Sequence, residues 1–461
     1  MRTIMWIKNH RWLSSLLVGL VCLGLGGLAG LMPLRYLAGV AFCLGLTIIA
    51  YAWVWLISKP DELRGMLLLC LAAMGLRWGA SFALEFLWPS FENLSDGAAY
   101  GPHAMTIAQA WNANYFASYE AVVATPVGAP GYVYFSAVIF WLFGPNTLLV
   151  KLANGLFAGM AAVYTAKLGN HFFDQRVGRF AALWMLIMPS LILWTSQNLK
   201  DSAVVLLSVW ILYVASQGLR SSLWQIPLLV LLIGALMSVR RETSIGIALM
   251  IALTIGFQQT RHWLTRLSLS TITIVALGLV LSSSGYGFLG SNYLQERLSL
   301  SAISEKREAN STGTGTIENT IDTTTPLGFA RYLPIALINF WLRPWPWEAT
   351  KSTAQLLTIP EAALLWYPLW VLAMLGMLLA WRSRWRETML LWLYLLAGSA
   401  AAAPQYGNFG TAYRHRVQLW PIFFLFAGYC WYRWRDARAQ QRQAMLTRYV
   451  QSIEQQAASL Q

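Results

Sequence analysis

Long apolar segments separated by short polar breaks run along the whole chain. A helix needs about 20 mostly apolar residues to cross the hydrocarbon core of a bilayer. The pattern predicts twelve transmembrane helices, near residues 12–32, 36–57, 66–88, 147–168, 178–195, 201–217, 224–240, 243–259, 265–284, 361–381, 387–403 and 413–433. Two more apolar segments, 132–143 and 332–341, are too short to cross and are predicted to be interfacial or re-entrant helices. We therefore expect an all-α polytopic membrane protein.

The same pattern divides the chain into four parts. Residues 1–59 hold two N-terminal helices, the first of which we interpret as a retained span rather than a cleaved signal peptide. The core follows over 60–284, with a first outer loop at 89–146. An extracytoplasmic loop and interfacial helix occupy 285–346. The last helices and a basic cytoplasmic tail take up 347–461.

Composition agrees with a membrane protein, because 57% of the residues are hydrophobic and only 11% are charged. The net charge of +14 does not indicate nucleic acid, since the basic residues cluster at the ends of the spans and in the tail WYRWRDARAQQR. Basic loops mark the cytoplasmic side, which places both termini inside. We expect a multi-pass protein of a bacterial inner membrane. The four cysteines lie inside predicted spans without CxxC spacing, so neither a disulfide nor a cysteine metal site is expected.

With this orientation, polar clusters that are distant in sequence fall on the outer face. They are residues 96–103, 198–201, 240–242 and 408–416. The segment 282–325, rich in Ser and Thr, lies on the same side and is predicted to be a mobile loop. Arg77 is the exception, because it sits in the middle of a span. A charge at that depth calls for a partner or a water-filled cavity.

The stretch SDGAAYGPHAMTIAQAW begins with Ser95 and Asp96, directly after an outer span end. Apolar residues recur downstream at three- and four-residue spacing, which predicts an amphipathic helix at the interface from about residue 98. Asp96 has two interpretations. It caps this helix, as Ser-Asp often does before an apolar-periodic run, or it is a functional carboxylate at the membrane surface.

These residues resemble the GT-C superfamily of membrane glycosyltransferases, in the branch of protein O-mannosyltransferases and aminoarabinose transferases. Asp96 is followed four residues later by Tyr100 and then by the proline-led apolar segment GAPGYVYFSAVIFWLFG. Residues 154–201 are similar to the next two spans of the family, with a basic turn and a final Asp201. The segment GTAYRHRVQLWPIFF resembles its arginine-bearing C-terminal span, so that the likeness extends over roughly residues 60–435.

The resemblance implies an inverting transfer of a sugar from a polyprenyl-phosphate donor to a glycan, lipid or protein acceptor on the extracytoplasmic face. Asp96 is then the general base. A lipid phosphate leaves, so cationic side chains should converge beside the carboxylate. Candidates for binding substrate or lipid phosphate are Tyr100, His103, Lys200, Asp201, Arg240, Arg241, Arg414 and Arg416. Of Arg240 and Arg241, one is expected to pair with Glu242 or Asp201 and to have a structural role. No cofactor is expected, and a divalent metal, for which His103 and His415 are possible ligands, is not favoured.

Two other classes of function remain open. A polymerase or ligase of lipid-linked glycans would use the outer arginines without an Asp base. A transporter or flippase would need charges along a path through the membrane and, typically, repeated halves. The sequence shows no internal repeat, and Arg77 is its only deep charge.

Overall fold

The computed structural model describes residues 34–89, 97–113, 129–217, 225–257, 299–311, 316–317, 321–348 and 358–459. In these parts the chain is helical apart from its connections and one isolated β-bridge between Thr316 and Asn408. The predicted all-α fold class is thereby confirmed. The predicted spans 12–32 and 265–284 lie outside the described residues.

Fifteen α-helices are described, and we number them in chain order. They are α1 Leu34–Ile57, α2 Pro60–Leu87, α3 Gly97–Asn112, α4 Pro130–Phe143, α5 Thr147–Phe172, α6 Gln175–Ile187, α7 Pro189–Thr195, α8 Asp201–Ser216, α9 Gln225–Val239, α10 Arg241–Phe257, α11 Leu300–Ala309, α12 Pro326–Leu342, α13 Tyr367–Ala402, α14 Phe409–Arg416 and α15 Trp420–Ser459. A π-helical turn, Ala362–Trp366, precedes α13, and a 3₁₀ turn, Ala403–Gln405, follows it.

Helix α5 lies at the centre of the bundle. It packs against α2, α6 and α8, and nine-tenths of its most apolar stretch is buried inside the protein. In the described part of the chain, four helices are long and apolar enough to cross a membrane, or five if the bent pair α6 and α7 counts as one span. The other apolar helices, such as α8 and α9, are shorter, and the predicted total of twelve spans is not confirmed.

Helix α13 consists of two arms that fold back on each other. Arg384 has non-helical torsion angles (φ −146°, ψ 29°). The rings of Trp381 and Trp392 lie 5.5 Å apart, whereas eleven residues of a straight helix would span about 16 Å. Gly376 and Trp392 also both contact Phe426 of α15. The two arms agree with the predicted spans 361–381 and 387–403.

The predicted span 178–195 is not one continuous helix. It is broken between α6 and α7, which meet at 63°. Pro189, the first residue of α7, has no N–H to donate to the Met185 carbonyl four residues earlier. Arg77 of α2 takes that role: its guanidinium donates to the carbonyls of Met185 (2.6 Å) and Leu186 (3.2 Å). It also donates to Thr195 Oγ1 (3.1 Å). The buried charge of Arg77 therefore has partners. They are mainly backbone carbonyls next to the helix break.

Two further predictions need correction. The segment 413–433 does not form one span, because α14 ends at Arg416 and α15 begins at Trp420. The segment 282–325 is not simply a mobile loop, because it contains α11, whose start is capped by Ser299 Oγ accepting from the Ala302 N–H (3.2 Å). Helix α11 packs against the 3₁₀ turn 403–405.

Two groups of paired charged side chains lie at opposite ends of the bundle. We call one the tail end, where Arg176 pairs with Asp436 of α15 (2.8 Å) and Lys167 lies 3.9 Å from Glu62. The other, which we call the aspartate end, contains Asp201 at the start of α8, together with the turn before it. The four polar clusters predicted to share one face reach this end: α3 begins there, and residues 198–201, 240–242 and 408–416 meet there.

A candidate anion site around Asp201

Asp201 is the centre of an ionic cluster assembled from three parts of the chain. It is the first residue of α8 and is fully buried. Its Oδ2 accepts a hydrogen bond from Arg414 Nε at 2.6 Å, and its Oδ1 lies 3.6 Å from Arg240 Nη1. The N-terminus of a helix favours a carboxylate electrostatically. The prediction that Arg240 or Arg241 pairs with Glu242 or Asp201 is therefore confirmed for Arg240.

Arg414 reaches Asp201 because α14 is short and firmly capped. The side chain of Asn408 accepts from the Gly410 N–H at 2.8 Å, which fixes the first turn. At the other side of the cluster, Arg240 lies between α9 and α10, and its Nη2 is 3.5 Å from the hydroxyl of Tyr406. Burial raises the pKa of Tyr406 to about 12, so the phenol stays neutral and available as a hydrogen-bond partner.

Lys200 adds a third cation directly before Asp201. Its ammonium lies 5.9 Å from the centre of the Tyr100 ring, a cation–π distance, and Tyr100 is buried at the start of α3. Burial and then the positive charge of Arg240 lower the pKa of Lys200 to about 8. The structure thus brings together Tyr100, Lys200, Asp201, Arg240 and Arg414.

Amide side chains hold the turn before Asp201 in place. Asn154 of α5 is fully buried, and its Nδ2 lies 2.7 Å from the Gln197 carbonyl and 2.9 Å from the Leu199 carbonyl. The same nitrogen is 2.8 Å from the Tyr132 hydroxyl, which in turn donates to Asn198 Oδ1 at 3.2 Å. The sequence pattern does not assign a role to Asn154. Its only signal is an amide inside a predicted span.

Asp96, the predicted base, lies outside the described residues. Gly97, the next residue in the chain, is at the aspartate end, where its carbonyl is 3.4 Å from Asn198 Nδ2. The amphipathic helix predicted after Asp96 is confirmed as α3, which buries Tyr100, Ala104, Ile107 and Ala108 on one face.

The other residues predicted to bind substrate or lipid phosphate are not part of the group around Asp201. Arg241 is half-buried at the start of α10, and the neighbouring Glu242 pairs with Lys306 of α11 (3.4 Å). Arg416 is fully buried and donates to the carbonyls of Trp341 (2.5 Å) and Arg343 (2.8 Å). His103 is half-buried on α3.

His415 lies within the cationic cluster. Burial and the charges of Arg240 and Arg414 hold the pKa of its imidazole well below the usual value, so the ring is neutral at neutral pH. Its ring centre is 4.7 Å from that of Tyr406. Within the described ranges, no three His, Cys, Asp or Glu side chains are grouped in a way that could hold a metal ion.

A second buried carboxylate, Glu361, supports the position of α14 and was not predicted. Its Oε2 accepts from the backbone N–H (3.0 Å) and hydroxyl (2.6 Å) of Ser190 in α7, and its Oε1 accepts from the Tyr413 hydroxyl (3.1 Å). Because Tyr413 directly precedes Arg414, Glu361 links the broken helix pair to the ionic cluster. An acid at the edge of a predicted span was the only signal in the sequence.

The balance of charge determines what this arrangement can bind. Three cations, Lys200, Arg240 and Arg414, face one carboxylate, so the cluster carries an excess of about two positive charges when Lys200 is protonated. An ionised carboxylate only accepts hydrogen bonds. Asp201 therefore orients the two arginines, while the cations provide the attraction for an anion.

One part of the chain matches a known protein family, and solved structures have a similar fold. Residues 126–285 match the family model described as dolichyl-phosphate-mannose-protein mannosyltransferase. No curated protein matches the chain.

Among solved structures, ArnT from Cupriavidus metallidurans bound to undecaprenyl phosphate is similar, with 16% identity over 79% of this chain and 60% of that chain and a TM-score of 0.49. The archaeal oligosaccharyltransferase AglB from Archaeoglobus fulgidus, in complex with an inhibitory peptide and a dolichol-phosphate, has 13% identity over 80% of this chain and 50% of that chain and a TM-score of 0.50. The chain thus spans half to three-fifths of the length of these proteins.

Proposed function

The chain has the fold of the GT-C superfamily of membrane glycosyltransferases, and from this premise we propose that it transfers a sugar from a polyprenyl-phosphate donor. The acceptor is a glycan, lipid or protein on the extracytoplasmic face. The family matched by residues 126–285 is named for a dolichyl-phosphate-linked sugar, and the AglB structure contains a dolichol-phosphate. Both names favour a lipid phosphate as the anion for this cluster.

The observation that carries the proposal is the cationic excess around Asp201. When a glycosidic bond to phosphate breaks, negative charge develops on the phosphate oxygen, and preorganised cations stabilise it most where water is excluded. Arg414 and Arg240 are held by Asp201 before any ligand arrives. Lys200 completes the cluster and is charged at neutral pH.

The proposed step is a single displacement. The acceptor oxygen or nitrogen attacks the anomeric carbon while the bond from that carbon to the phosphate oxygen breaks, and the bonding electrons leave with the phosphate. The carboxylate of Asp96 takes the proton of the acceptor. Attack from the side opposite the phosphate inverts the anomeric configuration. Asp96 precedes Gly97, which contacts the turn carrying Lys200 and Asp201.

Lipid analysis of cells with and without the protein tests this function. We expect a polyprenyl-phosphate sugar to accumulate in its absence, and wild-type protein, but not D96N, to reverse the accumulation. If no such lipid accumulates, the proposal is wrong. Full reversal by D96N would instead favour a polymerase or ligase without an Asp base.

A double variant tests the ionic cluster. Removing Arg414 alone would leave the buried carboxylate of Asp201 with only the 3.6 Å contact to Arg240, and breaking a buried ion pair costs up to about 3–5 kcal/mol, so we pair R414Q with D201N to keep a neutral hydrogen-bonded pair. We expect D201N/R414Q to fold, to lose at least about 100-fold in transfer rate, and to lose affinity for undecaprenyl phosphate. The exposed pair Arg384 and Glu387 at the tail end gives the control R384Q/E387Q, which should transfer normally. Unchanged transfer in D201N/R414Q would contradict the role of the cluster.

Among the described residues, the one deep charge that the sequence offered for a transporter has a structural explanation. Arg77, the deep charge that would support one, is occupied by the carbonyls at the α6–α7 break.

A further inference from the structure

Helix α15 continues far beyond the bundle. It is buried as far as Cys430, whereas from Arg433 to Gln456 every residue except Asp436 is exposed. The helix contains neither Gly nor Pro between Tyr429 and Ser459, and sharp bends in helices almost always need one of these residues or an inserted group. The exposed part therefore keeps the direction of the buried part. It projects from the tail end over about 40 Å, at about 1.5 Å per residue.

The far half of this projecting helix carries an apolar stripe. Leu446, Val450 and Ile453 recur at intervals of four and three residues and so lie on one face, with Tyr449 beside them. Their side chains are 59%, 51%, 47% and 64% exposed, in that order, so nothing in the described part of the chain covers them. Anchors at this spacing are typical of a helix that binds a partner through its apolar face.

The near half of the same face is basic. Arg435 and Arg442 are seven residues apart, and Arg442 lies four residues before Leu446, so both continue the line of the apolar stripe. Arg438 lies beside them, with its guanidinium 3.8 Å from the ring centre of Trp434. We call these three exposed arginines the arginine row. A helix surrounded by water turns its charges away from its apolar face, which this one does not do.

A second copy of the chain does not complement this face. Two copies in one membrane project their tails in the same direction, so their α15 helices would pair in parallel through the same surface. Each arginine row would then face the other, and like charges placed opposite each other across an interface are strongly unfavourable.

The lipid surface and the rest of this chain fit no better. Basic residues near Arg435 mark the membrane boundary, and Leu446 lies about 16 Å further along the helix axis. The headgroup layer is only about 5–8 Å deep, so the helix carries the stripe past it. The parts of the chain predicted on this side but outside the described residues, 1–11, 218–224 and 258–264, contain basic residues and neither Asp nor Glu.

We propose that this face of α15 binds an amphipathic helix of another protein. Apolar side chains of the partner cover the apolar stripe, and its acidic side chains pair with the arginine row. Charge complementarity selects such a partner over a second copy. The surface lies at the opposite end of the bundle from the ionic cluster, so the proposal does not depend on the proposed function. It gives the chain a means to hold a second protein beside the membrane.

Photo-crosslinking in the host cells tests this surface. In the full-length protein, p-benzoylphenylalanine replaces Tyr449, which places the reactive group beside the apolar stripe. The same replacement is made in R435Q/R438Q/R442Q and in the control R433Q/R448Q, whose arginines lie on the opposite side of the helix. All these arginines are exposed, so the unfolding temperature in detergent should match that of wild type in every case.

We expect an adduct with a different protein, joined through a peptide that has apolar residues at helical spacing and several acidic residues. Its yield should fall about tenfold in R435Q/R438Q/R442Q, as the loss of three exposed ion pairs would give, and stay unchanged in R433Q/R448Q. An adduct only with a second copy, only with lipid, or with no molecule would overturn the proposal. A partner peptide without acidic residues, or an undiminished yield in R435Q/R438Q/R442Q, would do so as well.

Discussion

Single residues at the aspartate end differ in how firmly their charge is fixed. An arginine guanidinium keeps its positive charge in proteins across the ordinary pH range. Lys200 is different, since burial and the neighbouring arginines lower its pKa to about 8. The charge of the proposed anion site is therefore constant at neutral pH and decreases above it.

We predict that the affinity for undecaprenyl phosphate falls as the pH rises through about 8. A bound anion favours the protonated amine, so binding weakens when the free protein loses that proton, by up to about tenfold per pH unit. In K200R the guanidinium stays charged, and affinity should remain level between pH 7 and 9. Equilibrium binding at several pH values measures this. An identical fall in K200R would rule out Lys200 as its origin.

At the scale of single residues, the sequence identified the cations of the cluster better than the side chains that hold the cluster in place. Basic residues on the outer face oppose the usual orientation of charge, which pointed to Arg240 and Arg414. Asn154 and Glu361 were missed because their role depends on the partners they meet, and those partners lie 22 to 171 residues away. Pattern analysis along one chain does not reveal such pairings.

At the scale of helices, the break between α6 and α7 is the feature that the apolar pattern did not predict. Residues 178–195 are uniformly apolar enough to form one span, but Pro189 removes a backbone donor and Ser190 N–H is taken by Glu361. The break turns the chain so that the turn 196–200 leads directly into the ionic cluster at Asp201.

A pair of substitutions tests how Arg77 supports this break. In R77M the carbonyls of Met185 and Leu186 lose their donor, which costs about 1–3 kcal/mol for each buried group. P189A restores one N–H opposite Met185, so R77M/P189A should recover about 1–2 kcal/mol relative to R77M alone. Thermal unfolding in detergent of wild type, both single variants and the double variant measures the coupling free energy between the two substitutions. Additive effects would show that Arg77 does not act through these carbonyls.

Helix packing between α13 and α15 depends on Gly376. A Cβ there would collide with the backbone carbonyl of Phe426, so we predict that G376A lowers the free energy of unfolding by about 1–3 kcal/mol. Gly75 of α2 is the matched control, because a Cβ there meets no heavy atom of the described residues within 4 Å. G75A should leave stability unchanged or raise it by up to about 1 kcal/mol. Equal unfolding temperatures for the two variants would contradict this packing.

For the whole molecule, hydropathy was sufficient to predict the helical class and most helix positions in the described part of the chain. It did not predict the lengths, because an 18-residue apolar window does not distinguish a span from a shorter buried helix such as α8 or α9. Burial in a bundle makes both equally apolar.

Cysteine labelling tests the proposed orientation. In a background with Cys22, Cys43, Cys70 and Cys430 replaced by alanine, we introduce E305C in α11 at the aspartate end, or Q441C in α15 beyond the tail end. Both positions are exposed. A membrane-impermeant maleimide should label E305C in intact spheroplasts, and Q441C only after permeabilisation. The reverse pattern would place the ionic cluster on the cytoplasmic side.

The bond between Asp201 and Arg414 joins residues 213 positions apart. At a synthesis rate of about 5–20 residues per second, roughly 10–40 s separate the emergence of the carboxylate from that of its arginine. During that interval Asp201 lacks its main cation, and the half-made protein has no complete anion site. Under the proposed function, a nascent chain therefore cannot hold the lipid donor, and competence for binding arrives only when the C-terminal helices have joined the bundle.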